Sequence, residues 1–176
     1  VFGYSLFLYQ RFDPTQTFQF EENIKWISQF NIHYHLGIDW LSLLLVLLTT
    51  FLMPIAVLCS WTSIQAKGFY ISLLFLETGM LGAFVARDLF LFYLFWEATL
   101  VAVYFWMGLH GRDSESESRY TIVMRFCLVT LLGSLPMLLA IIRLCSAFNG
   151  DPGIAHLGEA LSQIEEKERF WVFCGF

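Results

Sequence analysis

Long apolar runs alternate with short charged connections along this chain. Four stretches, 41–59, 69–86, 89–109 and 120–142, hold 81 residues but only 3 of the 25 charged side chains, Glu77, Glu97 and Arg125. A hydrocarbon core about 30 Å thick is crossed by roughly 20 apolar residues in a helix, and all four runs have that length. Inside lipid each backbone N–H and C=O must be satisfied within its own segment, which makes the helix the economical solution. The pattern predicts an all-α membrane protein: a multi-pass transmembrane helix bundle with four complete spans. Residues 1–9 and 170–176 read as two partial spans.

Local signals refine this outline. Pro54 interrupts the first complete span and predicts a kink near it. Gly79, Gly82, Ala83 and Ala86 form two small-x-x-x-small pairs on the second span, which lets another helix approach closely. Only Arg87 and Asp88 separate the second span from the third, so those two helices form an antiparallel hairpin with a very short turn. Trp61, Trp106 and Tyr120 mark interfacial belts. The connection 10–38 is polar and aromatic-rich, with Pro14 suggesting a loop and a short strand or hairpin near Ile32 to Leu36. A second, acidic connection runs from Ser146 to Arg169. No sustained repeat interrupts the 176 residues, which are read as a single membrane domain. The chain begins with Val1 and its last apolar segment is seven residues long, so a fragment of a longer subunit is expected.

Composition agrees: 57% of the residues are hydrophobic, 14% are charged, and the mean hydropathy is +0.63, outside the balance of a soluble globular domain. The net charge of -5 comes mostly from the connections and offers no basic patch, which excludes nucleic acid as a partner and leaves the lipid bilayer. Cys59, Cys127, Cys145 and Cys174 form no C-x-x-C pair and sit in or at the ends of apolar spans, where cysteine serves as a small packing residue. His33 and His35 alternate on an extended stretch with nothing nearby to complete a metal site, and His110 is expected at the headgroups. The connections 60–68 and 110–119 hold Lys67, Arg112 and Arg119 in 19 residues. The positive-inside rule places them in the cytoplasm, against the contrary pull of Arg87 and Arg143.

Candidate chemistry lies inside the spans. Glu97 is within two positions of the middle of the third span, where an ionised carboxylate costs at least ~2.5 kcal/mol. At 100° per residue Tyr93 and Tyr104 fall within about 40° of it, so one helix face carries hydroxyl, carboxyl and hydroxyl over nearly three turns. Such a stripe can line a hydrated proton path; the competing reading is a protonated Glu97 that hydrogen-bonds a neighbouring helix. Glu77, also central, has apolar or small neighbours, so helix packing competes with transport there. Arg125, about 7 to 8 Å into the fourth helix, either snorkels to the interface or turns inward to pair with a buried carboxylate. Thr130 and Ser134 are expected to bond backbone carbonyls.

The segment from Ala86 to Glu97 (ARDLFLFYLFWE) resembles the antiporter-like M subunit, or chain 4, of proton-pumping NADH:quinone oxidoreductase, equivalent to the plastid D-type subunit. Similar matches are Tyr34 to Asp39 with Leu41 to Leu44, Ala56 to Trp61, Leu76 to Gly82, Arg119, and Gly133 to Ile141, so nearly the whole chain is covered. The departures are Trp40 in place of a Gly, Arg87 where an apolar residue is common, Ala102 at a frequent Pro, and Arg125 for a Lys. The resemblance implies spans three to six of about fourteen, with lysines that work with Glu97 lying beyond Phe176. A lysine approaching or leaving a buried carboxylate lowers or raises its proton affinity, so charge movement becomes proton movement.

The implied function is a proton-translocating subunit of a respiratory NADH:quinone oxidoreductase in a bacterial inner membrane, among other membrane subunits of the complex. This chain shows no nucleotide motif, flavin site or cluster ligands; NADH, FMN, iron–sulfur clusters and quinone are implied on partner subunits, with no cofactor on this chain. The alternatives are a subunit of a multi-subunit sodium/proton antiporter or membrane-bound hydrogenase, or a truncated assembly module that transports nothing.

Overall fold

The computed structural model describes residues 1–27, 32–61, 67–110 and 118–147, together with 162, 169, 170, 172 and 173. Its elements run α1 (Phe2–Arg11), β1 (Gln19–Ile27), β2 (Ile32–Ile38), α2 (Trp40–Ser60), α3 (Lys67–Val85), α4 (Leu89–His110) and α5 (Arg119–Ala147). The four apolar runs are four helices long and apolar enough to cross a membrane. Helix ends differ from the hydropathy boundaries by a few residues: α3 begins at Lys67, and α5 continues to Ala147. Hydropathy reports where lipid begins, whereas backbone hydrogen bonding persists into the headgroup layer. The two readings therefore need not coincide. Residues 62–66 and 111–117, most of the acidic connection, and Cys174 lie outside the described residues.

Neighbours in sequence pack in order, α1 on α2, α2 on α3, α3 on α4 and α4 on α5, with α3 and α4 the most intimate pair. The reason is the glycines on α3. A Cβ built on Gly79 would lie 2.8 Å from Thr99 Cγ2, and one on Gly82 would overlap the edge of the Phe95 ring. The expected close-packing surface is therefore where α4 seats. Beyond α4, a second apolar cluster joins Leu89 and Tyr93 to Ala140, Ile141, Leu144 and Cys145 of α5 and to Val172. Arg169, Phe170, Val172 and Phe173 are helical.

Most of the remaining apolar surface points outward: Leu58 and Val129 are 70% exposed. No aqueous fold tolerates this on helices of such length, and lipid or further apolar helices do. Aromatic side chains gather at both ends of the bundle. Trp61, Tyr70, Phe69 and Trp106 follow one another at ring-centroid distances of 5.3 to 6.5 Å near one end. Tyr9, Phe12 and Trp40 do the same at the other.

The polar connection forms a two-stranded antiparallel hairpin, longer than the short strand expected, with β1 as the outer, exposed strand and β2 docked on the helices. The register shifts between Gln19 and Glu22, where Phe20 takes φ 54, a bulge at the exposed edge. β2 meets the α3–α4 turn directly. Leu36 bridges Ala86, Arg87 N donates to His35 O at 2.8 Å, and His33 N donates to Asp88 Oδ2 at 3.1 Å. Gly37 leaves the space that Arg87 occupies: a Cβ there would sit 3.1 Å from Arg87 Cγ.

Asp88 is the anchor of this joint. It is fully buried, and its Oδ1 accepts from Phe90 N at 2.8 Å and Leu91 N at 3.1 Å, capping α4 where the helix dipole favours an anion. Asp39 caps α2 the same way, accepting from Ser42 N at 2.7 Å. Asp88→Ala removes the cap, typically ~1 kcal/mol, and strands the His33 N–H for a further ~1–3 kcal/mol. The full-length subunit in detergent is expected to unfold at a clearly lower temperature with Asp88→Ala and at an intermediate one with Asp88→Asn, which keeps an acceptor. Equal midpoints for wild type and the alanine variant would contradict this account of the joint.

Candidate proton-transfer site

α4 is held on two sides, and this fixes where Glu97 points. Phe95 and Thr99 meet the glycines of α3. Glu97 lies two residues from each, about 160° around the helix, so it faces away from α3. Tyr93, one turn earlier, shares that side and is 7% exposed within the cluster formed with α5. The Tyr93 hydroxyl interacts with both Glu97 and Ser134 of α5. Glu97 Oε1 is buried and has no hydrogen-bond partner among the described residues. It stands about 12 Å from the start of a helix about 33 Å long, deep in the span.

An orphaned carboxylate oxygen at that depth is expensive, and the group recorded beside Glu97 is the Tyr93 hydroxyl. The arrangement can take up, hold and release a proton. Tyr104 is seven residues farther along, about 10 Å up the helix, with its ring edge-on to Phe105 at 5.5 Å. Tyr93 thus lies near Glu97, one turn away, while Tyr104 stands farther along the same helix.

Glu77 is 6% exposed but belongs to a different compartment. The offset of two residues from Gly79 turns it away from α4, onto an open cavity of about 340 Å³ between α1, α2 and α3, lined also by Thr50, Met53 and Pro54. The two carboxylates thus lie on opposite sides of the α3–α4 pair. Arg125 is exposed on the second turn of α5. Thr130 donates to Phe126 O at 2.8 Å and Ser134 to Leu131 O at 3.0 Å, both back onto their own helix as expected.

Two features had no counterpart in the sequence reading. Thr50 of α2, 1% exposed, pairs with Ser5 of α1 at 2.8 Å, two hydroxyls 45 positions apart with no sequence signal linking them. Ser134 approaches Tyr93 across α4 and α5 while bonding its own backbone. Asp88 did carry a signal, an acidic residue immediately before an apolar run, the mark of a helix N-terminus. The side chain of His110 lies outside the described residues.

Bundle, short α3–α4 hairpin and mid-span carboxylate define a class: multi-pass helical membrane proteins with an ionisable group inside a span. Residues 86–176 match the family model described as NADH:quinone oxidoreductase/Mrp antiporter, TM, and residues 6–85 match NADH-ubiquinone oxidoreductase chain 4, amino terminus; the chain belongs to this family. It is 43% identical over 146 residues to NADH-ubiquinone oxidoreductase chain 4 of Arabidopsis thaliana, covering 81% of this chain and 29% of that one. It is 43% identical over 129 residues to NADH-quinone oxidoreductase subunit M of Escherichia coli (strain K12), covering 72% and 25%. To subunit M of Rhodobacter capsulatus it is 41% identical over 146 residues, covering 82% and 27%. The chain thus spans between a quarter and three tenths of the length of these relatives.

Proposed function

We propose that this chain is part of a proton-translocating membrane subunit of a respiratory NADH:quinone oxidoreductase, and that Glu97 is its proton-carrying group. The observation that carries this reading is the buried, unpartnered Oε1 of Glu97 beside the Tyr93 hydroxyl at mid-span depth. Tyr93 and Ser134 extend the polar line toward α5, and an approaching ammonium adjusts the proton affinity of Glu97. Each proton moved against the membrane potential costs about 2.3 kcal/mol per 100 mV. Quinone reduction on partner subunits, which carry NADH, FMN, iron–sulfur clusters and quinone, supplies that energy. Glu77, facing the other compartment, serves packing more than transfer, Tyr104 lines the far end of the path, and Arg125 holds α5 at the interface. The 176 residues act as one membrane unit of a longer subunit.

The family description also names Mrp antiporters, which favours an antiporter subunit as the second reading. The curated relatives named above support the oxidoreductase. The membrane is accordingly a bacterial inner membrane or, given the plant relative at equal identity, its organellar counterpart.

The comparison that tests the assignment is Glu97→Gln against Glu77→Gln, each in the intact complex reconstituted into vesicles. Protons moved per quinone reduced should fall steeply for the first and modestly for the second. Equal losses, or wild-type stoichiometry with Glu97→Gln, would overturn the ranking or the role. Orientation is tested separately by impermeant thiol labelling. A cysteine at Ser116 is expected to react only from the cytoplasmic side and one at Gln19 only from the opposite side, because three complete spans separate them and Lys67, Arg112 and Arg119 stay inside. Labelling of both from one face would refute the span count; opposite faces in reversed sense would refute only the orientation.

A further inference from the structure

Arg87 of the α3–α4 joint is a cation outside the proposed proton path, and its surroundings are unusual for one. Its guanidinium stacks on Phe18 at 3.3 Å from the ring centroid, and its stem packs over Gly37. Its Nε is buried with no hydrogen-bond partner, and the guanidinium makes no ion pair among the described residues. Nε itself is enclosed, and the stacking covers the face of the guanidinium, which leaves its terminal in-plane N–H donors for a phosphate.

These donors border a slot of about 310 Å³ formed by the last turn of α3 and the first turns of α2 and α4. Below Arg87 the slot is apolar, with Leu41, Leu45, Phe84 and Phe92 among its walls. Leu41 is 64% exposed at the rim, so the slot opens at the surface of the described residues. Trp40, 49% exposed and grouped with Tyr9 and Phe12, marks the headgroup level at this end. The acidic groups that face Arg87 are Glu21, whose stem lies over Gly37, and Asp39 on the slot wall, already holding Ser42 N at 2.7 Å.

We propose that this slot binds one membrane phospholipid, its phosphate on Arg87 and the upper part of an acyl chain along the apolar wall. A cation with unmet donors at headgroup depth above an apolar slot matches both halves of such a molecule. Asp39 and Glu21 at the same rim select a headgroup that carries an ammonium beside the phosphate, which makes phosphatidylethanolamine the fitting ligand.

The test uses the full-length subunit in its assembled complex and a phosphatidylethanolamine bearing a photoactivatable acyl chain, with cross-linked peptides mapped after irradiation. Cross-links should concentrate on residues 83–92. Arg87→Gln should weaken labelling there about tenfold, as loss of charge-assisted hydrogen bonds implies, with Arg87→Lys intermediate. Ala83→Leu, which narrows the slot and keeps the cation, should weaken it as well, and millimolar inorganic phosphate should not compete. Unchanged labelling in Arg87→Gln and Ala83→Leu, or displacement by inorganic phosphate, overturns the proposal.

Discussion

Glu97→Gln in the full-length subunit is expected to leave assembly nearly intact while reducing coupled proton pumping by roughly 10²-fold, the lower end for loss of a positioned proton-transfer group. Glutamine keeps the volume and the hydrogen-bonding reach of the side chain, so the packing that holds α4 between α3 and α5 is not the variable. What disappears is the ability to exchange a proton. A neutral amide at mid-span is also cheaper to bury than a carboxylate, so stability should rise or stay level rather than fall. That opposite sign is the useful part of the experiment: a variant that assembles well and pumps poorly isolates proton transfer from folding. Normal pumping rate and stoichiometry in reconstituted vesicles would remove Glu97 from the path.

The second large effect concerns folding. Gly82→Leu is expected to prevent stable assembly, because a Cβ at that position already overlaps the edge of the Phe95 ring, so the larger side chain must turn Phe95 out of the seam or push α4 away from α3. Overpacking of a close helix interface costs typically about 1–3 kcal/mol for added methylenes, and prising α3 from α4 also forfeits the dispersion attraction along their whole seam. Gly79→Ala should be milder, since it adds a single methyl, which has to push on Thr99 Cγ2 and on the α4 backbone at Thr99 N and Phe95 O by only a few tenths of an ångström. Membrane levels of assembled complex and its thermal midpoint in detergent are the measurements. A Gly82→Leu complex with wild-type abundance and midpoint would show that α3 and α4 do not rely on this close approach.

The two experiments read different faces of one helix. Phe95 and Thr99 fix the rotation of α4, and that rotation aims Glu97 at α5. A substitution on the α3 side that rotates α4 by a fraction of a turn would therefore disturb proton transfer without touching the carboxylate. The joint at Asp88 and β2 has a similar relation to the site, since it sets the axial position of α4 from its first turn.

Spans, their number and the short α3–α4 turn were legible along the chain, because lipid imposes a length and an apolar composition on each helix separately. The glycine surface of α3 and the depth of Glu97 were legible for the same reason: both follow from one helix and its position in the membrane. Tyr93 joined Glu97 as helical geometry required, being one turn away. The relations between helices were not legible. Local neighbours separate Glu97, with its tyrosines, from Glu77 among apolar and small residues, but only tertiary packing puts these two central glutamates on opposite sides of the α3–α4 pair. Ser5 and Thr50 meet 45 positions apart, and the hairpin extends well beyond Ile32 to Leu36, because β2 finds partners on β1 and at the α3–α4 turn. Asp88 reads in sequence as half of a two-residue turn and in the fold as a fully buried tie between a strand and a helix. Hydropathy and helical period determine which segments cross the bilayer and what each face offers. Which faces meet is decided only when side chains of different segments compete for the same space, and that competition fixes the partners of every polar group in the site.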